Sequence, residues 1–300
     1  MIQTKKKGLF IEIIIPEKWA DMSIETLLKD YWKVPKKLMH EWRMSKDVLV
    51  NGLAIPWNTT LPKDAKLLLP VYKSNPTSIE ATYMDLSVLY EDDHLLIINK
   101  PAGLETHPSK PNQTDTLLNG VAYHLLLEGH DGELRHIHRL DQDTTGAIIF
   151  SKHALAGAIL QRMLEERRIK RSYKALVHGK VLKKKGTISA SIGRDRHHAT
   201  RRRVSPSGQH AVTHYKVLQY DSKKDLTLIE CSLDTGRTHQ IRVHLSHLGH
   251  PLAGDTLYGG KPIFHRQALH AYQIKLTHPI TEEPLVIHAP FIDNKNVFSE

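Results

Sequence analysis

The apolar residues of the first 75 positions recur at both helix and strand spacing, which predicts a small unit of mixed structure. Apolar side chains at positions 24, 27, 28 and 31 share one helix face, and Ser23 stands where such a helix needs an N-cap. The predicted elements are, in order, a strand over 11–15, that helix, a second helix opened by Pro35, a hairpin of 48–50 and 53–55 around Asn51-Gly52, and a strand over 67–71.

Beyond position 78 the apolar pattern favours strands over helices. Apolar or alternating runs predict strands over 88–90, 95–99, 147–150, 173–177, 212–220, 226–233, 271–276 and 285–288, and helical spacing predicts helices over 155–168 and 238–248. Strands and helices do not alternate regularly, so we expect an α+β domain with a mostly antiparallel mixed sheet. The polar segment 74–78 (Ser-Asn-Pro-Thr-Ser) marks the boundary between predicted domains of residues 1–75 and 76–300.

Positive charge is concentrated in one segment of the chain. The 300 residues carry a formal net charge of +10, and residues 162–203 alone contain fifteen Lys or Arg and three acidic residues. Such a surplus attracts a polyanion through counterion release, although a solvated helix face and loop is the ordinary meaning of a charge run. Nucleic acid is the expected partner, and charge alone does not distinguish RNA from DNA. The side chains predicted to contact its phosphate backbone are Arg167, Arg168, Lys170, Arg171, Arg201, Arg202 and Arg203.

Composition restricts the compartment and the class of protein. Cys231 is the single cysteine, so an internal disulfide is excluded and a reducing compartment is expected. No apolar run approaches the ~18 residues that cross a bilayer. Three lysines at 5–7 precede apolar residues as in a signal peptide, but Glu12 and Pro16 interrupt that run. We therefore expect a cytoplasmic protein that does not contact membranes and acts as a monomer.

Three polar segments could carry chemistry, because each brings charged or hydroxyl side chains next to predicted buried chain. They are H-R-L-D-Q-D-T-T-G over 138–146, R-S-Y-K over 171–174 and T-G-R-T-H-Q-I-R-V-H over 235–244. From spacing alone each has a structural interpretation as well. Asp141 or Asp143 can cap backbone amides, Tyr173 can be an ordinary strand-edge aromatic, and Arg242 can extend to solvent.

Taken together, these segments resemble the RluA/RluD-type pseudouridine synthase family. N-K-P-A-G over 99–103 and L-G-H-P-L-A-G-D-T-L-Y-G over 248–259 extend the resemblance, which keeps the family's order across residues 85–290. It implies an α+β enzyme without a cofactor that isomerises uridine in rRNA or tRNA. In that reaction the base–ribose C–N bond breaks, the uracil turns, and its carbon 5 is joined to the ribose. Residues 1–75 resemble a small RNA-binding domain found in some ribosomal proteins, tRNA synthetases and RNA-modifying enzymes.

The resemblance also implies roles for individual residues. Asp141 stands at the family's catalytic acid, Arg242 at its partner arginine, and Tyr173 at its active-site tyrosine, which can stack on uracil and accept or relay the carbon 5 proton. A carboxylate suits this reaction because it can attack as a nucleophile or stabilise a sugar cation, and the target base has to leave its stack. The remaining side chains expected to bind the substrate are Arg139, Leu140, Thr144, Arg237, His239, Gln240 and Leu269.

Two other function classes stay open at the level of sequence. His136, His138 and Asp141 form an H-x-H-x-x-D run that resembles the ligands of a metal-dependent phosphoesterase or hydrolase. The chain lacks an H-E-x-x-H motif and a cysteine-rich ligand set, and its histidines lie among Lys and Arg, so no metal is expected. A non-catalytic RNA-binding protein would share the basic segment without needing Asp141.

Reversing Arg201, Arg202 and Arg203 to Glu tests whether the basic segment binds RNA. We expect weaker binding and a shallower salt dependence, with the slope of log K against log salt reduced by roughly 0.7 to 0.9 for each phosphate that the protein no longer neutralises. The measurement is RNA affinity across a series of salt concentrations. An unchanged slope would show that this run is only a solvated loop.

Overall fold

The computed structural model describes residues 2–73, 79–130, 132–292 and 298. They form an α+β structure in which a small N-terminal sheet packs beside a large mixed sheet, and this confirms the predicted fold class. The predicted linker over 74–78 lies outside the described residues.

The N-terminal part is a four-stranded antiparallel sheet with two short helices. The strands are β1 (Thr4–Lys7), β2 (Phe10–Ile14), β3 (Leu49–Val50) and β4 (Lys66–Leu69), in the order β1-β2-β4-β3. The helices are α1 (Ile24–Thr26), which continues as a wider turn over Leu27–Tyr31, and α2 (Lys36–Ser45). The predicted N-cap is confirmed, because Ser23 Oγ accepts a hydrogen bond from the Thr26 amide at 3.0 Å.

The predicted hairpin is correct as a turn and wrong as a pair of strands. Asn51 and Gly52 have φ angles of 51° and 83°, and Val50 and Leu53 exchange backbone hydrogen bonds of 2.8 and 3.0 Å across them. In the described chain, residues 53–55 do not continue as a strand, and β3 pairs with β4 instead. Asn51 Oδ1 accepts from the Lys66 amide at 2.9 Å, which directs the turn toward β4 rather than toward its own second arm.

The rest of the described chain is built on a ten-stranded sheet. Its main path runs β10-β13-β14-β9-β15-β8-β6-β5, with β16 beside β15 and β7 beside β8, and every pairing is antiparallel except that of β8 with β15. The strands are β5 (Val88–Glu91), β6 (Leu95–Lys100), β7 (Arg135–His136), β8 (Thr145–Ser151), β9 (Lys170–His178), β10 (Lys185–Ser189), β13 (Val212–Asp221), β14 (Leu226–Leu233), β15 (Leu269–Thr277) and β16 (Pro284–His288). A separate hairpin is formed by β11 (Ile192–Arg194) and β12 (Arg202–Val204).

Three helices accompany this sheet, and two of them were predicted. They are α3 (Leu117–Leu127), α4 (Ala154–Glu165) and α5 (Gln240–His247). The predicted α4 ends three residues too late and the predicted α5 starts two residues too early, because Arg167 and His239 have left-handed φ angles of 59° and 57°. Helix α3 is absent from the sequence prediction. Its start is marked by Thr116, whose amide donates to Asn119 Oδ1 at 3.2 Å.

Both faces of the large sheet are covered at its central strands β6 and β8, which explains the continuous apolar runs of these strands. All six residues of β6 are buried, with Leu95 and Ile97 in one apolar cluster and Leu96 and Ile98 in another. The first cluster includes Trp19 and the rest of the N-terminal core, and the second includes α3. The two predicted domains therefore share one continuous core, and the boundary at residue 75 stays a prediction.

Gly146 fixes the position of the loop that carries Asp141. Its φ is +113°, and a Cβ there would lie 2.3 Å from the Ala271 carbonyl oxygen, so β8 can approach β15 only with glycine at this position. In the described part of the chain, no helix is long and apolar enough to cross a membrane.

Candidate active site

Side chains from neighbouring segments bind the backbone of the loop between β7 and β8 and hold it in a defined shape. Thr106 Oγ1 donates to the Leu140 carbonyl at 3.1 Å and accepts from the Leu140 amide at 3.3 Å. Lys100 Nζ donates to the Gln142 carbonyl at 2.7 Å, and burial lowers the pKa of Lys100 to about 7. Arg266 Nη1 reaches the Asp143 carbonyl at 3.2 Å. The Asp141 side chain is thus carried by a loop whose backbone is bound on several sides.

Asp141 and Arg242 meet in this structure. Arg242 Nη1 donates to Asp141 Oδ2 at 3.1 Å, although the two residues come from a loop and from α5. Among the described residues, no backbone amide donates to the Asp141 carboxylate, so the capping interpretation of that side chain has no support. The Asp141 side chain keeps 24% of its surface exposed, which leaves the carboxylate accessible from the adjoining clefts.

A second carboxylate holds the other side of the Arg242 guanidinium. Arg242 Nε and Nη2 donate to the two oxygens of Asp255 at 2.7 and 2.9 Å, and Asp255 is 2% exposed. Burial opposes the charge of Arg242, but the Asp255 hydrogen bonds and the charges of Asp141 and Asp255 outweigh it and raise the pKa of the guanidinium. Arg242 therefore presents a fixed positive charge to Asp141 with little freedom to turn away.

The wall of the first cleft is made by neighbouring strands. Tyr173 on β9 pairs in register with Ala271 on β15, and Leu269 stands two residues earlier on β15, opposite Ala175. Tyr173 and Leu269 are each 4% exposed and line a cleft of about 500 Å³ together with Asp141. Burial raises the pKa of the Tyr173 phenol, so this side chain is an uncharged ring at neutral pH.

A second cleft of about 580 Å³ reaches Asp141 from the other side. Arg139, Leu140, His239 and Arg242 line both clefts, so the carboxylate lies where the two join. Arg139 Nη2 donates a hydrogen bond to Thr238 Oγ1 at 3.1 Å, and Thr238 also lines both clefts.

Other side chains predicted to bind substrate lie nearby but differ in how accessible they are. Thr144 is 2% exposed and its amide donates to the Asp141 carbonyl at 3.0 Å, so it shapes the loop. Gln240 is 3% exposed and its amide group donates to the Val212 carbonyl at 2.9 Å, which ties α5 to β13. Arg237 Nε donates to the His210 carbonyl at 3.1 Å at the edge of the first cleft.

The basic residues divide into three groups in the structure. Arg201, Arg202 and Arg203 line a groove of about 720 Å³ between the β11–β12 hairpin and α5. Arg167 and Arg168 lie past the end of α4, where Arg167 borders the first cleft, and Lys170 is exposed at the start of β9. Arg171 differs from the others, because its side chain points into the wall of the first cleft and the residue is 8% exposed.

The residues of the metal hypothesis do not form a ligand set in the described structure. The ring of His136 stacks on His107 at 4.5 Å between centroids, and His138 is buried in the wall of the first cleft. In the described ranges the one group of His, Asp or Glu side chains close enough to share an ion is Glu91, His124 and Glu128, where Lys152 already pairs with both glutamates.

Two residues that contact Arg242 are absent from the set predicted from the sequence. Asp255 and Tyr258 both fall in the L-G-H-P-L-A-G-D-T-L-Y-G run, but nothing in their spacing points to Arg242 or Asp141. The guanidinium centre of Arg242 lies 5.0 Å from the centroid of the Tyr258 ring. The one available signal was that an acidic residue and an aromatic residue lie in a segment that resembled the family.

Comparison with known proteins shows which family the chain belongs to. The sequence model of the family described as RNA pseudouridylate synthase matches residues 94–247, and that of the RluD ribosomal pseudouridine synthase N-terminal domain matches residues 11–67. The chain belongs to the RNA pseudouridine synthase family. It is thus an enzyme that isomerises uridine in RNA, and the predicted family and reaction are confirmed, whereas the metal-dependent and non-catalytic alternatives have no support.

Named relatives and solved structures match most of the length of this pseudouridine synthase. It is 49% identical to the Bacillus subtilis (strain 168) protein described as uncharacterized RNA pseudouridine synthase YhcT, over 97% of each chain. It is 39% identical to ribosomal large subunit pseudouridine synthase D of Nitrosomonas europaea, over 95% of this chain and 85% of that one. The structure of human RNA pseudouridylate synthase domain containing 1 superposes with a TM-score of 0.57 at 28% identity, covering 72% of this chain and 86% of the human one.

Replacing Arg242 by Lys tests whether turnover needs the guanidinium geometry that joins Asp141 and Asp255, in addition to the positive charge. A lysine ammonium is a point charge that cannot donate to Asp141 and Asp255 in the same geometry, so we expect turnover to fall about 10- to 100-fold. The measurement is release of tritium from RNA labelled at carbon 5 of uracil. Arg43→Lys, at an exposed arginine paired with Glu25 at 3.4 Å, is the matched control and should turn over normally. Unchanged turnover in Arg242→Lys would show that the guanidinium geometry is not required.

Proposed function

We propose that this pseudouridine synthase modifies a uridine of large-subunit ribosomal RNA, with Asp141 as its catalytic carboxylate. The observation that carries the assignment of Asp141 is its contact with Arg242 at 3.1 Å, at the point where the two clefts join. A target nucleotide flipped out of its stack can enter one cleft while its neighbours occupy the other.

In this proposal Asp141 acts on the flipped uridine as a negatively charged group. The bond between uracil nitrogen 1 and ribose carbon 1′ breaks, the uracil turns, and carbon 5 forms the new bond to carbon 1′. Carbon 5 then loses a proton and nitrogen 1 ends with one, so the reaction is an isomerisation without net gain or loss of atoms. Attack on the sugar, attack on the base and abstraction of a sugar proton all use the same carboxylate.

Of the two roles considered for Tyr173, we favour stacking on the uracil over acceptance of the carbon 5 proton. Burial raises the pKa of its phenol, and a neutral phenol is a poor proton acceptor. An uncharged aromatic ring beside Leu269 provides a flat apolar surface for the base instead. Arg139 and His239, which line both clefts, are proposed to bind the nucleotide beside Asp141.

The RNA around the target is proposed to lie along the basic groove that Arg201, Arg202 and Arg203 line. Exposed cations there bind phosphates without reading bases, which suits a structured RNA recognised by shape. Ribosomal RNA is favoured over tRNA because several relatives that cover most of the chain are named as ribosomal large subunit enzymes. We further propose that the enzyme acts as a monomer in the cytoplasm, consistent with its single, buried cysteine.

Mapping pseudouridine in total RNA, with and without the gene for this protein, tests the proposed substrate. We expect a site in large-subunit ribosomal RNA to lose pseudouridine on deletion and to regain it when the gene is restored, while tRNA sites stay unchanged. Loss confined to tRNA would contradict the substrate. A map unchanged in every RNA would contradict the proposed function as a whole.

A further inference from the structure

The hairpin of β11 and β12 is held against the active site by a small apolar cluster. We call residues 192–204 the basic arm, since they contain five arginines and a single acidic residue. The cluster comprises Ile192 and Val204 of the arm, with Ala211, Val243, Leu257 and Tyr258. Val243 is next to Arg242 in α5, so the arm packs directly on the helix that carries the catalytic arginine.

Tyr258 is the member of this cluster that also contacts the active site. Its Oη accepts a hydrogen bond from the Arg202 amide of the arm at 2.9 Å. The same oxygen lies 2.8 Å from His239 Nδ1, and its ring lies beneath the Arg242 guanidinium. Tyr258 is 9% exposed, so these contacts are formed away from bulk water.

The direction of the contact between Tyr258 and His239 follows from the available donors. The Arg202 amide can only donate, so among the described residues the acceptor for the phenolic proton is His239 Nδ1. Burial lowers the pKa of His239 and raises that of Tyr258, so both groups are neutral and the phenol keeps its proton. His239 then carries its own proton on Nε2.

This tautomer gives the active site a donor next to Asp141. His239 Nε2 lies 4.0 Å from Asp141 Oδ2, which is too far for a direct hydrogen bond. An Nε2–H group in that position can donate to an oxygen of a nucleotide bound against the carboxylate, such as a ribose hydroxyl or a uracil carbonyl. The opposite tautomer would present a lone pair to the same place, which repels a uracil carbonyl oxygen and can only accept from a ribose hydroxyl.

We propose that Tyr258 is a positioning residue for pseudouridine formation, which fixes the His239 tautomer and links the basic arm to the groups beside Asp141. The proposal rests on the proposed role of Asp141 in the reaction. It adds a structural connection between the surface expected to bind RNA and the donor expected to meet the flipped nucleotide.

The first test measures the His239 tautomer in the protein without RNA. Nitrogen-15 NMR distinguishes protonated from unprotonated ring nitrogens, and the His239 signals are identified by their loss in His239→Gln. We expect an unprotonated Nδ1 in the unsubstituted protein and a shift toward protonated Nδ1 in Tyr258→Phe, which keeps the ring and removes the hydroxyl. A protonated Nδ1 at the start, or the same tautomer in both proteins, would overturn the proposal.

The second test asks whether the link reaches the arm and the reaction. In Tyr258→Phe the Arg202 amide loses its acceptor, so hydrogen exchange over residues 201–204 should accelerate. We expect kcat to fall about 10-fold while KM for RNA changes less than about 2-fold, because the apolar cluster still holds the arm. Unchanged exchange, or an unchanged kcat despite a shifted tautomer, would overturn the linking or the positioning role.

Tyr220→Phe is the matched control, because it removes an exposed hydroxyl that donates to Asp225 at 2.9 Å, within the hairpin of β13 and β14. It should leave the His239 tautomer, the exchange of the arm and kcat unchanged. The tautomer and exchange measurements use the free protein and do not depend on which residue attacks the substrate. Failure of the proposed catalytic role of Asp141 would therefore be distinguishable from failure of this inference.

Discussion

The guanidinium of Arg242 is the group on which the geometry of the candidate active site depends. It donates to Asp141 on one side and to both oxygens of Asp255 on the other, in a position where it is 8% exposed. Leaving a buried charge without its partner costs about 3 to 5 kcal/mol, so the three side chains stabilise one another only together. The loop of Asp141, helix α5 and the turn after it must all be in place before this contact exists. Folding and the geometry of the proposed catalytic site are thus coupled through one side chain.

The large sheet supplies the rigid surface against which this contact is arranged. Tyr173 and Leu269 stand on adjacent strands and belong to one buried apolar cluster, so their separation is set by strand pairing rather than by a loop. Gly146 lets β8 approach β15 and thereby fixes where the Asp141 loop ends. The N-terminal core continues into the same sheet, which ties the position of that part to the catalytic part.

Much of this architecture is readable from local pattern, and much of the site is not. Strands such as β6 are predictable because a continuous apolar run with no room for a long helix has few other solutions. Helix α3 was not predicted because apolar residues occur all around it, which removes the periodic signal. The Asn51-Gly52 turn gave a wrong strand pairing because the partner of β3 is distant in sequence.

Spacing along the chain could not decide whether Asp141 or Asp143 is the catalytic acid. The choice came from the resemblance to a family, and the contact that supports it joins residues 101 positions apart. Asp255 and Tyr258 needed the fold itself, because only tertiary contacts connect them with Arg242.

In the proposed mechanism the negative charge of Asp141 performs the chemistry, and the sharpest measurement of that role is single-turnover tritium release by Asp141→Asn. Asparagine keeps the shape of the side chain and could still cap a turn, so folding and RNA affinity, measured in parallel, should be preserved. Asp143→Asn makes the same change two residues along the loop and serves as the control. We expect release to fall by about 10³-fold or more in Asp141→Asn and to stay close to normal in the control. Substantial release by purified Asp141→Asn that binds RNA normally would contradict it.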